Sequence, residues 1–142
     1  MAAADDATRR LQLKEAALAY FEGLRRKNFD LIPFADEVQL RAPIVPGGVE
    51  EPLVGREQVR AGWWAPLPGL LGRVELVDLY VNDALTAVVG EARIEILLDP
   101  PIWLRVADRF EVDDDGRIRE QVNHFDPRDV TQPGWREQAT NR

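Results

Sequence analysis

The sequence predicts an α+β domain in which helices come first and an antiparallel meander follows. Three observations carry this. Apolar residues recur at spacings of three and four up to about Lys27, which is helical periodicity. From Val74 onward the apolar residues switch to period two in four successive runs. The links between those runs are short and turn-like, as antiparallel neighbours require. Helices in one block and strands in the next place the helices together on one face of the sheet.

Residues 1–7 are small and acidic and read as a flexible tail. Thr8 suits the N-cap of a first helix running to about Lys27, with Leu13, Ala17, Tyr20 and Leu24 on one line, so the Tyr20 ring points inward. Asn28 and Asp30 suit a new start, and Phe29 to Ala35 reads as a short second helix with Pro33 near its first turn. Val38, Leu40 and Ala42 alternate with polar neighbours and suggest a strand. The stretch 43–55 holds three prolines and three glycines and is loop. Arg56 to Trp64 forms a third helix with Val59 and Trp63 at i and i+4, and APLPGLLG breaks it. Four strands follow over 74–81, 86–97, 102–112 and 118–125, joined at Asn82-Asp83, Asp99-Pro100-Pro101 and Asp113 to Gly116. One domain over 8–135 with a tail at 136–142 is the expected organisation.

Composition narrows the function. At 142 residues, 45% hydrophobic and 30% charged, the chain can bury a core and is not a disordered sequence. A net charge of −7 repels phosphate backbones and anionic lipid, so neither nucleic acid nor a membrane is an expected partner. Cysteine is absent and there is a single histidine, which disfavours thiolate chemistry and a His-rich metal site. MAAADDATRR lacks the layout of a secretory signal, and the expected location is cytoplasmic. Gly47-Gly48 precedes no helix with phosphate-loop spacing, and the Asp113 to Gly116 run lacks later calcium ligands and reads as a turn.

Run 102–112 carries the chemistry. Ile102, Leu104, Val106, Asp108, Phe110 and Val112 share one face, and Asp108 is its lone charge. A buried carboxylate must find donors or hold its proton with a raised pKa. Either state suits an acid, a base or an oxyanion donor, although a structural carboxylate bonded to backbone would read the same way. In a regular hairpin closed at Asp114-Asp115, Asp108 faces Val122 with His124 one diagonal step away. Asp108, His124 and Tyr20 are thereby expected near one end of a pocket. Trp63, Trp64, Phe110, Val122, Leu40 and Glu120 are the expected lining for a hydrophobic small molecule, and Trp103 and Trp135 add aromatic surface there or elsewhere. Glu91, Arg93 and Glu95 alternate on 86–97 and read as a solvated or dimer-facing charge ladder.

The segments AYFEGLRRKNFDLIPFADEVQLRAP, LVGREQVRAGWW and ADRFEVDDDGRIREQVNHFDP resemble the nuclear transport factor 2-like superfamily over most of residues 15–127. That superfamily includes SnoaL-like polyketide cyclases, ketosteroid isomerases and limonene-epoxide-hydrolase-like enzymes. The resemblance implies a cone: a curved antiparallel, in part mixed, sheet wrapped around a deep pocket closed by about three N-terminal helices. It also implies a homodimer and no cofactor. Tyr20 and Asp108 fall where the isomerase keeps its oxyanion tyrosine and protonated aspartic acid, whereas its general base would fall at Ala42. Asp108 also resembles the acid/base aspartate of the cyclases. The hydrolase triad would map onto Asp126, Arg93 and Glu95, with Gln39 and Arg41 departing from the rest of that site. The expectation is a cyclase or isomerase using Asp108, Tyr20 and His124, with epoxide opening through Asp126, Arg93 and Glu95, or a binding module, as rivals.

Overall fold

The computed structural model describes residues 2–131; Trp135 and the tail 136–142 lie outside the described residues. Helix α1 runs Ala2–Arg26, so it begins before Thr8 and takes in most of the stretch read as a tail. Leu13, Ala17, Tyr20 and Leu24 are all buried, as the spacing requires. The helix ends in a Schellman motif: the Lys27 N–H donates to the Leu24 carbonyl at 3.2 Å and the Asn28 N–H to that of Gly23 at 2.9 Å. This places Lys27 at φ 53°, a left-handed conformation that glycine adopts with less strain. Lys27→Gly is expected to raise stability by about 0.5–1 kcal/mol in chemical denaturation. At the other end of α1 the Arg9 guanidinium donates to the carbonyls of Leu85, Val112 and Asp113 at 2.8–3.0 Å, and so ties the helix to two hairpin ends.

The expected second helix is only a 3-10 turn over Phe29–Leu31, and β1 begins at once, Phe34–Arg41. Pro33 is the reason: it disfavours the helical conformation in Ile32, which instead turns extended. The loop 43–55 contains a two-residue strand, β2 (Leu53–Val54). Helix α2 (Arg56–Val59) widens into a π-helical segment over Arg60–Trp64, where the looser winding buries both Trp63 and Trp64. The APLPGLLG segment contains one helical turn, α3 (Leu67–Leu70), and β3 (Leu71–Val81) starts directly after it. Strands β4 (Ala87–Ile96), β5 (Ile102–Val112) and β6 (Ile118–His124) follow, then a short α4 (Arg128–Thr131).

The six strands form one open mixed sheet in the order β2-β1-β6-β5-β4-β3, antiparallel except where β1 runs parallel to β6. Val88, Ala92, Ile94 and Ile96 of β4 and Leu104, Val106, Phe110 and Val112 of β5 face inward against α1. Gly90 pairs with Asp108 across β4 and β5. A Cβ at Gly90 would overlap the Phe21 ring, so this glycine is what lets α1 lie flat on the sheet.

The β5–β6 register corrects the expected one. Val112 pairs with Ile118, but Glu111 pairs with Glu120, so Arg119 is an extra residue and forms a β-bulge. Beyond the bulge the odd positions turn inward. Gln121 and Asn123 are buried opposite Phe110 and Asp108, while His124 lies opposite Ala107 and is exposed.

Candidate functional site

A cavity of about 220 Å³ opens between the sheet and the helical segments. Leu24 of α1, Leu67 and Leu70 of α3, Ile94 and Ile96 of β4, and Leu104 and Val106 of β5 make its walls apolar. Ile44, Leu98, Phe125 and Val130 extend that surface. Polar side-chain atoms enter at Tyr20, Trp63, Asp108 and Asn123, and Asp108 is the only carboxyl among the described lining residues.

Each of these is placed by its own element. Period two turns Asp108 inward from β5 with 1% exposure. The bulge aims Asn123 at it, and the Asn123 Nδ2 donates to Asp108 Oδ1 at 2.6 Å. Burial raises the Asp108 carboxyl from its ordinary 3.8 to about 7, and the donors Asn123 and Tyr20 only partly oppose that rise. The buried stripe of α1 delivers Tyr20, whose ring stacks on Trp63 at 6.1 Å and 25° and meets Phe21 edge-on at 5.0 Å and 80°. Burial and the neighbouring Asp108 charge push the Tyr20 phenol well above its usual range, while the Gln121 and Asn123 amides pull it partly back. Tyr20 therefore stays a neutral donor, whereas Asp108 can exchange its proton near neutral pH.

Of the expected trio Asp108, Tyr20 and His124, the structure brings Tyr20 and Asp108 to the cavity, where the candidate lining residue Trp63 joins them. Several other expected residues do not reach it. His124 stands on the outer face, away from Asp108, because the bulge inverted the alternation. The same inversion puts Val122 and Glu120 outside, where Glu120 pairs with Arg41 at 3.5 Å. Phe110 and Leu40 are fully buried beside the site without lining the cavity; Phe110 packs on Tyr20 at 4.8 Å. Trp64 packs on Phe29 at 5.7 Å, also off the cavity.

The three residues of the epoxide-opening set do not converge. Ile94 and Ile96 take the inward positions of β4, so Arg93 and Glu95 face outward. There Arg93 pairs with Glu75 at 3.0 Å and Glu95 with Arg73 at 3.7 Å. Asp126 sits past β6 and pairs with Arg128 at 2.7 Å. Trp103 shares the outer face, with the Arg73 and Arg93 guanidiniums at 4.9 and 4.6 Å from its ring centre.

Asn123 and Gln121 are the site residues that the spacing did not reveal. No carboxylate stands where the resemblance would put an isomerase's base, since that position is Ala42, fully buried and apolar. Among the described residues no group of three or more His, Asp or Glu side chains could hold a metal ion. Nor, among them, is any helix long and apolar enough to cross a membrane.

The fold has many solved counterparts. SalBIII, an epoxide hydrolase/cyclase-like enzyme of pyran ring formation in the polyether salinomycin, superposes with a TM-score of 0.71 at 18% identity, over 82% of this chain and 92% of that one. An LEH-like epoxide hydrolase of Mycobacterium tuberculosis gives 0.68 at 20% identity, over 92% and 95%. Rv0760c of the same organism, in complex with estradiol-17β-hemisuccinate, gives 0.67 at 12% identity, over 81% and 94%. These likenesses establish a shared nuclear transport factor 2-like cone. No curated protein sequence matches the chain. The SnoaL-like domain matches residues 17–121, from the middle of α1 through Gln121, and so takes in Tyr20, Trp63 and Asp108. The chain belongs to the SnoaL-like domain family.

Proposed function

We propose that this chain is a cofactor-independent cyclase or isomerase of a hydrophobic small molecule, with Asp108 as its acid/base and Tyr20 as its oxyanion donor. The observation that carries the reading is that Asp108 and Tyr20 both line, with Asn123 bonded to Asp108, a cavity whose walls are otherwise apolar. An acid that titrates near 7 is matched to work in both directions at neutral pH. As the carboxylate, Asp108 takes a proton from a carbon acid or a hydroxyl of the substrate. The Tyr20 O–H holds the negative charge that develops on a carbonyl or ring oxygen. As the acid, Asp108 returns the same proton to the oxygen left after bond formation, so that nothing is gained or lost overall.

Ring closure by an internal hydroxyl or enolate fits one shuttling carboxyl better than hydrolysis does. SalBIII, described for pyran ring formation, supports the ring-closing version. Epoxide opening through Asp126, Arg93 and Glu95 draws no support from the outward placement of Arg93 and Glu95. The complex of Rv0760c with a steroid ester supports a pocket of this cone that accepts polycyclic ligands.

The test is turnover of a panel of neutral hydroxy-epoxides, polyketide-like polycarbonyls and cyclic ketones, read by chromatography for isomeric products. Asp108→Asn is expected to lower kcat by about 10²–10⁴-fold and Tyr20→Phe by a smaller factor, since general acid–base steps carry effects of that size. An Asp108→Asn variant that turns substrate over at the native rate overturns the assignment. Binding of such compounds with unchanged affinity in Asp108→Asn and no product in either protein would point to a carrier.

A further inference from the structure

Gln121 is fully buried, yet neither its Nε2 nor its Oε1 has a hydrogen-bond partner in the protein. An unpaired buried amide destabilises the fold, and a leucine of similar volume would avoid that cost. It is also misplaced for a filler. Beyond the bulge it pairs with Phe110, whose ring packs on Tyr20, and its amide lies beside the Tyr20 hydroxyl and makes that phenol easier to ionise. Asn123 spends one of its two Nδ2 hydrogens on Asp108, whereas neither amide atom of Gln121 is bonded, so Gln121 has its whole amide available to the Tyr20 oxygen. Gln121 does not line the cavity, so a substrate would not touch it.

We propose that Gln121 is a positioning residue for Tyr20: its amide, unbonded at rest, closes a hydrogen bond on the Tyr20 oxygen when negative charge builds there. A bond that forms only as charge develops lowers the barrier without tightening ground-state binding. The inference rests on reading Tyr20 as the oxyanion donor, but its test needs no substrate, so it stands or falls separately from turnover.

The chain reports the bond through Asp108. When Asp108 is ionised, Tyr20 donates to it, and a Gln121 amide on the Tyr20 oxygen polarises that O–H and strengthens the donation. The experiment follows the ¹³C-labelled Asp108 carboxyl by NMR through a pH titration in the wild type, Gln121→Leu and Gln121→Met. Both variants are expected to fold with an equal or higher Tm, because an unpaired polar group is removed, and to raise the Asp108 midpoint by about 0.5 pH unit. In a Tyr20→Phe background the same substitutions are expected to leave the midpoint unmoved. An unchanged midpoint, an equal shift without the Tyr20 hydroxyl, or failure of both variants to fold overturns the proposal.

Discussion

Asp108→Asn is expected to be more stable than the wild type by about 4 kcal/mol at pH 8 and nearly equal to it at pH 4. The folded protein holds the Asp108 proton up to about 7, against an ordinary 3.8. Below both values the carboxyl is neutral whether or not the chain is folded, and its burial carries no charge penalty. Between them the unfolded chain releases the proton while the folded one keeps it, so each pH unit removes about 1.4 kcal/mol of stability. Above 7 the full cost of a buried carboxylate is present. Asparagine does not titrate, and its carbonyl can still accept from Asn123, so the difference between the two proteins opens only across that window. Urea denaturation of both proteins at pH 4, 6 and 8 measures it. A gap that does not change with pH would show that the Asp108 carboxyl is not held protonated by burial. The same substitution that is expected to stop turnover is therefore expected to stabilise the fold, as happens where a site keeps a group its surroundings disfavour.

Gly90→Ala is expected to cost about 2–3 kcal/mol and to lower Tm by on the order of 10 °C. The added methyl overlaps the Phe21 ring, and Phe21 cannot yield freely because it is wedged between the sheet and Tyr20. Movement of Phe21 carries α1, and with it the Tyr20 hydroxyl, away from Asp108, so a fall in activity should accompany the loss of stability. Phe21→Leu costs stability by itself, but it gives the new methyl room. In the Gly90→Ala background its cost should shrink or change sign, a coupling that a double-mutant cycle reads directly. Additive effects would place the strain elsewhere.

Much of this was legible because it rested on strong periodicity. The even positions of strand β5 are apolar over its whole length except at Asp108, and the structure bounds the strand at Ile102–Val112, as the pattern did. The buried stripe of α1 was equally plain, which is why Tyr20 and Asp108 were found together. The misreadings came where the pattern carries little information. Phe29 to Ala35 has the residues of a helix start, but Pro33 sits too far along to lie in its first turn, and the chain goes extended instead. Strand β6 was the costly case. Its even set holds Glu120, Val122 and His124 and its odd set Arg119, Gln121 and Asn123. Neither is apolar, so alternation had no power to say which faces in. The preference is set by pairing with β5 and by one bulge, both non-local.

That bulge has a consequence for how such a pocket changes over time. Strand β6 carries two interleaved sets of side chains, and the position of a single extra residue decides which set is read by the cavity. With the bulge at Arg119 the inward set is amide-rich, Gln121 and Asn123. Slid beyond His124, it would present Glu120, Val122 and His124 to the Asp108 face instead, a histidine beside a carboxyl with no side chain substituted. One insertion and one deletion separate the two. On this sheet a shift of register would exchange the side chains that the cavity reads, with the alternative set already present on the outer face.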